Sequence, residues 1–252
     1  MTAGFRDHFG QVAADYARFR PRYPAALFDW LAARCARTDL AWDCACGSGQ
    51  ATVPLARRFT RVVGTDASPS QLAHAPPLPN VEWRCAPAED SGLADATVDL
   101  VTVVQALHWL PLPAFHAEVA RVLKPGGVFA TVSYGRMRVD PPALDALLQH
   151  YHDVVVGPWW PPERRHVVDG YRALPFPYPR VPVPDFAMAV RWSQAELLGY
   201  LRSWSASAAC RAARGEDPVD AFAPELAACW PRGETTIDVR WPMRIRVGHQ
   251  PP

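Results

Sequence analysis

Net charge is almost absent from this 252-residue chain: 26 Lys and Arg stand against 25 Asp and Glu, for a formal +1. That balance excludes the broad positive field that gathers nucleic acid or an anionic membrane, so neither is expected as a partner. No apolar run approaches the ~18 residues of a spanning helix, and the first residues lack a basic-then-apolar leader pattern. A cytoplasmic protein is the expectation. Cysteine is scarce and scattered, at positions 35, 44, 46, 85, 210 and 229, and a chain of this length needs no disulfide staples. Cys44-Ala45-Cys46 has no second pair and no histidine nearby, which argues against zinc, and no metal is expected. The thiols read as small buried hydrophobes. Internal repeats and low-complexity tails are also missing.

What is present is a 49% hydrophobic composition, enough for one sizeable core. Phe9, Val12, Tyr16 and Phe19 share one face of an N-terminal helical pattern, and Arg20-Pro21-Arg22-Tyr23-Pro24 breaks it. Pro24 is placed to begin a helix carrying Leu27 and Leu31. Short β-rich runs then alternate with helical ones: strands at Leu40–Cys44, Arg61–Thr65, Val81–Cys85, Val98–Val104 and Val128–Ser133. Pro54 predicts a short or kinked helix after the first strand. The helix Leu112–Leu123 meets a stop at Lys124-Pro125-Gly126-Gly127. This alternation predicts a doubly wound α/β sheet, mostly parallel, with helices on both faces.

After Tyr134 the pattern changes. Asp140-Pro141 opens an amphipathic helix, and eight prolines crowd residues 158–184 together with Trp159, Trp160, Tyr171, Phe176 and Tyr178. So much proline forbids regular helix, while the aromatics argue for an ordered cover. Ser193-Gln194-Ala195-Glu196 is a capping box for a further helix, and 236–247 alternates as a half-exposed final strand. The division expected is N-terminal helices over the site (1–37), a ligand-binding core (38–134), a cap or substrate-binding insertion (135–231) and a final strand (232–252), all in one domain.

Chemistry concentrates at Asp43-Cys44-Ala45-Cys46-Gly47-Ser48-Gly49, directly after the first strand, with Asp66 at the end of the second. Small residues let a ligand approach the backbone, and an acid at the second strand's tip is where doubly wound folds hold ribose hydroxyls. A dinucleotide fingerprint would need glycine at position 52, which is Thr, and no Gly-Lys-Ser/Thr follows, so a P-loop is excluded. A ligand with adenosine and a carboxylate but no pyrophosphate fits this looser pattern better.

The chain here resembles the class I methyltransferases, in particular the type-11 group that includes trans-aconitate methyltransferase-like enzymes. The resemblance runs from Tyr16 to about Ser133, with weaker similarity through Trp192–Ala206 and the final strand. It rests on Tyr16 and Arg20-Pro21-x-Tyr23-Pro24, Asp43-x-Ala45-x-Gly47-x-Gly49-Gln50, Asp66-x-Ser68, Ala88-Glu89, Asp99 through Gln105-Ala106-Leu107-His108-Trp109, and Leu123–Gly127. Ala45 departs from the glycine of many relatives. The resemblance implies a seven-stranded sheet whose last strand is reversed, S-adenosyl-L-methionine as cofactor, and a small-molecule acceptor.

By that resemblance Ala45, Gly47 and Gly49 pass beneath the methionine part of the cofactor, with Asp43 at the strand tip. Asp66, with Ala67 and Ser68, takes the ribose; Ala88 and Glu89 lie by the adenine; Gln105 sits beside the sulfonium; Tyr16 and Arg20 fold over the site. His108 is placed as a base or as a group that orients the acceptor, against the reading of a histidine bonded within its loop. Trp109, Tyr134 and Trp159 are candidate acceptor contacts, with core packing as the competing reading for Trp109. Arg164, Arg165 and Tyr171 are lid candidates. The acceptor chemistry that suits these residues is O-methylation of a carboxylate or secondary metabolite, by a monomer or homodimer. Three alternatives stay open: an NAD(P)-dependent oxidoreductase, a non-catalytic cofactor-binding relative, and a nucleic-acid methyltransferase. Against the last, the Asp/Asn-Pro-Pro-aromatic motif expected after the fourth strand is absent.

Overall fold

The computed structural model describes residues 21–252. The helix face expected around Phe9, Val12 and Phe19, and the site candidates Tyr16 and Arg20, lie outside the described residues. Pro24 is the N-cap of α1 (Ala25–Ala32), one position earlier than its predicted place as first helical residue; α1 buries Leu27, Phe28 and Leu31.

The five branched-residue runs become β1 (Leu40–Cys44), β2 (Arg61–Asp66), β3 (Val81–Cys85), β4 (Val98–Val104) and β5 (Leu123–Tyr134). Between them lie α2 (Thr52–Ala56), α3 (Pro69–Leu72) and α4 (Leu112–Val122). Pro54 sits third in α2, which runs for only five residues. β5 starts five residues before its predicted Val128, because Leu123 already pairs with Val98 and Lys124–Gly127 bulges out before Val128 meets Leu100.

β1 to β5 are parallel in the order β3-β2-β1-β4-β5, and the long β8 (Ile237–His249) adds antiparallel to β5. β6 (Arg138–Val139) and β7 (Ala187–Trp192) both pair antiparallel with β8. The sheet thus has eight strands instead of the seven expected. The extra one is the two-residue β6, which takes up β8 where β5 has ended.

Neighbouring residues of β5 fall into different apolar clusters. Val128, Ala130 and Val132 pack with α1 and α2, whereas Phe129 packs with Phe115 and Val119 of α4. Successive side chains on a strand point to opposite faces, so both faces of the sheet are covered.

Residues 135–231 supply much of the first cluster. α5 (Pro142–His150) continues as a wider π turn, Tyr151–Val155. α6 (Arg164–Val168) is a single turn within the proline-rich stretch, which had been expected to hold no regular helix. α7 (Gln194–Arg202) starts at the Ser193–Glu196 capping box. α8 (Ser205–Arg214) and α9 (Pro218–Cys229) complete the set. Tyr151 packs on Phe222 with the rings tilted and centroids 4.6 Å apart, and lies 6.0 Å from Trp204. This segment is therefore a packed helical layer as well as a cover. No helix among the described residues is long and apolar enough to cross a membrane.

Candidate active site

The strand order turns back between β1 and β4, because the chain builds outward through β2 to β3 and then returns. Loops leaving β1 and β4 diverge at such a point, and doubly wound folds bind ligands in that crevice. Both loops carry strained backbone there. Ala45 (φ 53°) and Gln105 (φ 59°) are left-handed, as are Gly47 and Gly49. Non-glycine residues in that region are held by their surroundings and cluster at functional sites. The positive φ at Ala45 is one that glycine adopts without strain.

The two glycines have different reasons to be glycine. A Cβ on Gly49 would lie 2.4 Å from Cη2 of Trp83, whose indole also covers Gly64. Gly49 is therefore demanded by packing inside the molecule. A Cβ on Gly47 would meet only Oε1 of Gln71, at 3.5 Å. Gly47 is the position left open for close approach.

The acids are equally distinct. Asp43 is buried, and its two oxygens accept hydrogen bonds from Thr52 (2.6 Å) and Thr102 (2.9 Å). Burial pushes its carboxyl up to about 6, against the two hydroxyls. It ties the end of β1 to α2 and β4 from beneath the loop. Asp66 is half-buried at the rim; Oδ2 accepts from the Gly47 amide at 2.8 Å and Oδ1 from the Ser68 amide at 2.9 Å. A carboxylate has about four lone-pair sites, so these two amides do not by themselves fill it. Ser68 is buried and caps α3, Ala67 is exposed, and the Ala86 amide reaches the Asp66 carbonyl at 3.1 Å. Ala88 is buried beyond that turn and Glu89 exposed.

At the tip of β4, Gln105 donates from Nε2 to the Tyr134 carbonyl at 3.0 Å, while its Oε1 is buried with no partner. A rim carboxylate and an orphaned amide oxygen are hydrogen-bond acceptors, and the open glycine leaves room between backbone and ligand. That set fits an adenosyl amino acid, whose ribose hydroxyls and ammonium are donors. Cys44 is buried, and burial raises its thiol well above the usual range, as it does for the half-buried Cys46. Cys85 corrects the expectation of buried thiols, since it is exposed at the end of β3.

Across the crevice, His108 lies in the turn Leu107–Trp109, with Nδ1 3.1 Å from the Tyr171 hydroxyl. Desolvation, helped by Arg164 and His166, pulls its imidazole down to about 3, so the ring is neutral near pH 7. Trp109 lies against it with the rings tilted, centroids 4.6 Å apart, yet remains 39% exposed. Tyr134 is buried at the tip of β5, its ring 6.2 Å from Tyr23. Trp159 is half-buried against the core, with its Nε1 buried and unpartnered. Arg164 lies over the Trp160 ring at 4.8 Å, and Arg165 is exposed.

The structure thus brings Gly47, Asp66 and Ser68 together around one carboxylate, and His108 together with Tyr171. Asp99 and Lys124, part of the sequence resemblance, serve the sheet: the Asp99 carboxylate takes the amides of Asp39 and Leu40 and the Lys124 ammonium. Trp83, Thr52 and Thr102 were not singled out from sequence. Their only signal was a hydroxyl amid the apolar run of β4 and another at the start of α2.

The family described as a methyltransferase domain matches residues 42–131, from β1 into β5. A Dictyostelium discoideum protein named as a methyltransferase is 33% identical over 245 residues, 95% of this chain and 93% of that protein. An uncharacterised methyltransferase of Mycobacterium tuberculosis is 40% identical over 131 residues, 50% of this chain and 53% of its own. Among solved structures, one named as a type II methyltransferase, from Anaeromyxobacter dehalogenans, superposes with a TM-score of 0.87 at 46% identity. It covers 93% of this chain and 99% of its own. None of these names states an acceptor, and none supports the oxidoreductase alternative. With the acceptor-rich crevice already in place for an adenosyl amino acid, the chain belongs to the class I S-adenosyl-L-methionine-dependent methyltransferases.

Proposed function

We propose that this enzyme methylates an oxygen of a small carboxylic acid, and that His108 orients the acceptor without acting as a base. The observation that carries this reading is the neutral, poorly basic imidazole of His108, held down by burial and by Arg164 and His166. An acceptor alcohol or protonated amine must lose a proton, and a group that titrates near 3 is a weak recipient for it. A carboxylate has no proton to lose.

Bound in the crevice, S-adenosyl-L-methionine supplies a methyl group on a sulfonium that leaves as a neutral thioether. The protein's part is placement and exclusion of water. Asp66, with Ala67 and Ser68 beside it, is assigned to the ribose hydroxyls, Ala88 and Glu89 to the adenine side, and Gln105 Oε1 to the cofactor's ammonium. Ala45, Gly47 and Gly49 shape the backbone beneath the methionine portion, and Asp43 supports that loop through Thr52 and Thr102. His108 and the surrounding positive charge favour an anionic acceptor oxygen; Trp109 and Tyr134 wall its site. A trans-aconitate-like polycarboxylate is one member of this acceptor class.

The test is transfer of labelled methyl to a panel of small carboxylic acids, phenols and amines. Product from a carboxylic acid, released as methanol by mild alkali because methyl esters are base-labile, is expected. Alkali-stable product formed from phenols or amines alone would overturn the acceptor assignment.

A further inference from the structure

Arg246 is a buried cation with an unusual set of partners. It lies on β8 at 6% exposure, and among the described residues no carboxylate is within ion-pair distance. Its guanidinium donates to the Tyr171 carbonyl at 2.9 Å, the Leu174 carbonyl at 2.8 Å and the Thr131 hydroxyl at 3.2 Å. The same group lies over the rings of Tyr171 (5.8 Å) and Phe176 (5.1 Å). A buried charge without a counter-ion is costly, and here two of the three bonds hold one loop to the sheet while the third ties β8 to β5.

The loop is one that needs holding. Tyr171 is fully buried at φ 62°, a left-handed conformation that a bulky residue adopts only under constraint. Its amide donates to the His166 carbonyl at 2.7 Å. The constraint delivers the phenol to His108 Nδ1, across 63 residues of sequence, at 3.1 Å. Among the described residues the buried phenol has no other hydrogen-bond partner, so directing its hydroxyl proton at Nδ1 is the arrangement that leaves no buried donor unpaired. Nδ1 is then the acceptor, and the single ring proton of a neutral imidazole sits on Nε2.

We propose that Tyr171, locked in place by Arg246, is a positioning residue that fixes the tautomer of His108, so that the ring presents Nε2–H as a donor. This rests on the reading of His108 as the group that meets the acceptor. A donor at Nε2 matches an anionic oxygen and leaves the ring no lone pair there to take a proton. Tyr171 and Arg246 need not touch the acceptor themselves.

Nitrogen-15 imidazole spectra of the full-length protein near pH 7.5 test the proposal, with His108 assigned by its loss in His108→Gln. The wild type is expected to show the Nε2–H tautomer. Tyr171→Phe, which keeps the ring and its packing, is expected to shift His108 toward a mixture of the two tautomers. Arg246→Lys keeps the charge but not the planar fork, and is expected to shift it in the same direction to a smaller degree. An Nδ1–H tautomer in the wild type, or unchanged spectra in Tyr171→Phe, would overturn the proposal. Unchanged spectra in Arg246→Lys alone would remove Arg246 from the chain of positioning. Transfer confined to amines would sink the carboxylate reading without moving these spectra, so the two failures can be told apart.

Discussion

At the tips of β1 and β2 the buried polar groups are bonded within the protein, whereas at the tips of β4 and β5 and in the cap several are not. Asp43 has a hydroxyl on each oxygen, and Asp66 has a backbone amide on each. By contrast Gln105 Oε1, Arg136 Nε, His152 Nε2 and Trp159 Nε1 are buried without a hydrogen-bond partner. An unpaired buried polar group costs roughly 1–3 kcal/mol, so four in one region are not a neutral feature. The cofactor end is preorganised by its own bonds. The far end carries a cost that polar ligands can offset, and in the proposed reaction the cofactor's ammonium does so at Gln105 Oε1.

Four changes bear on that contrast. Gly49→Ala is expected to do the most damage, about 4 kcal/mol from overpacking on Trp83 plus the left-handed backbone, while Gly47→Ala costs about 1 kcal/mol. Equal denaturant midpoints for the two variants would contradict the division of labour between these glycines. Acid comes next. His108 has an ordinary value of 6.5 and a folded value of about 3, and His116 and His152 are lowered too, each chiefly by burial. Between those values the unfolded chain binds more protons, so stability is full above 6.5 and lost as pH falls toward 3, by on the order of 3 kcal/mol. Unfolding curves that do not change between pH 7 and 4 in wild type, or that change equally in His108→Gln, would contradict a buried neutral His108.

The pH dependence of kcat/KM gives a smaller effect. With a carboxylate acceptor and no base, no limb attributable to His108 is expected between pH 5.5 and 8. A limb near 6.5 that disappears in His108→Gln would restore the base. Ala45→Gly is the mildest change, expected to stabilise by about 1 kcal/mol because Ala45 sits at φ 53°. A loss of stability there would mean that the Ala45 methyl makes contacts worth more than the strain.

The contrast also explains what was legible in the sequence. β1 to β5 announce themselves because each is a short branched run closed by a turn or cap, and the Ser193–Glu196 box marks α7 within four residues. Asp66 is legible because its place at a strand tip follows from local pattern. β7 was missed, since Ala187 and Ala189 leave only Met188, Val190 and Trp192 to mark it, after a proline-rich run. α8 and α9 were missed because Ser205–Arg214 is mostly alanine and serine, whose apolar stripe is faint. The Trp83–Gly49 packing and the Tyr171–His108 bond join different elements, and no local period reports such contacts. The eighth strand is two residues long, below what any alternation can reveal.

The most direct measurement is calorimetric titration of S-adenosylhomocysteine into the wild type and Asp66→Ala. Saturable one-to-one binding to the wild type is expected, weakened by about 2 kcal/mol, or roughly 30-fold, in the variant. Equal affinity in the two proteins would place the adenosyl group somewhere other than the tips of β1 and β2.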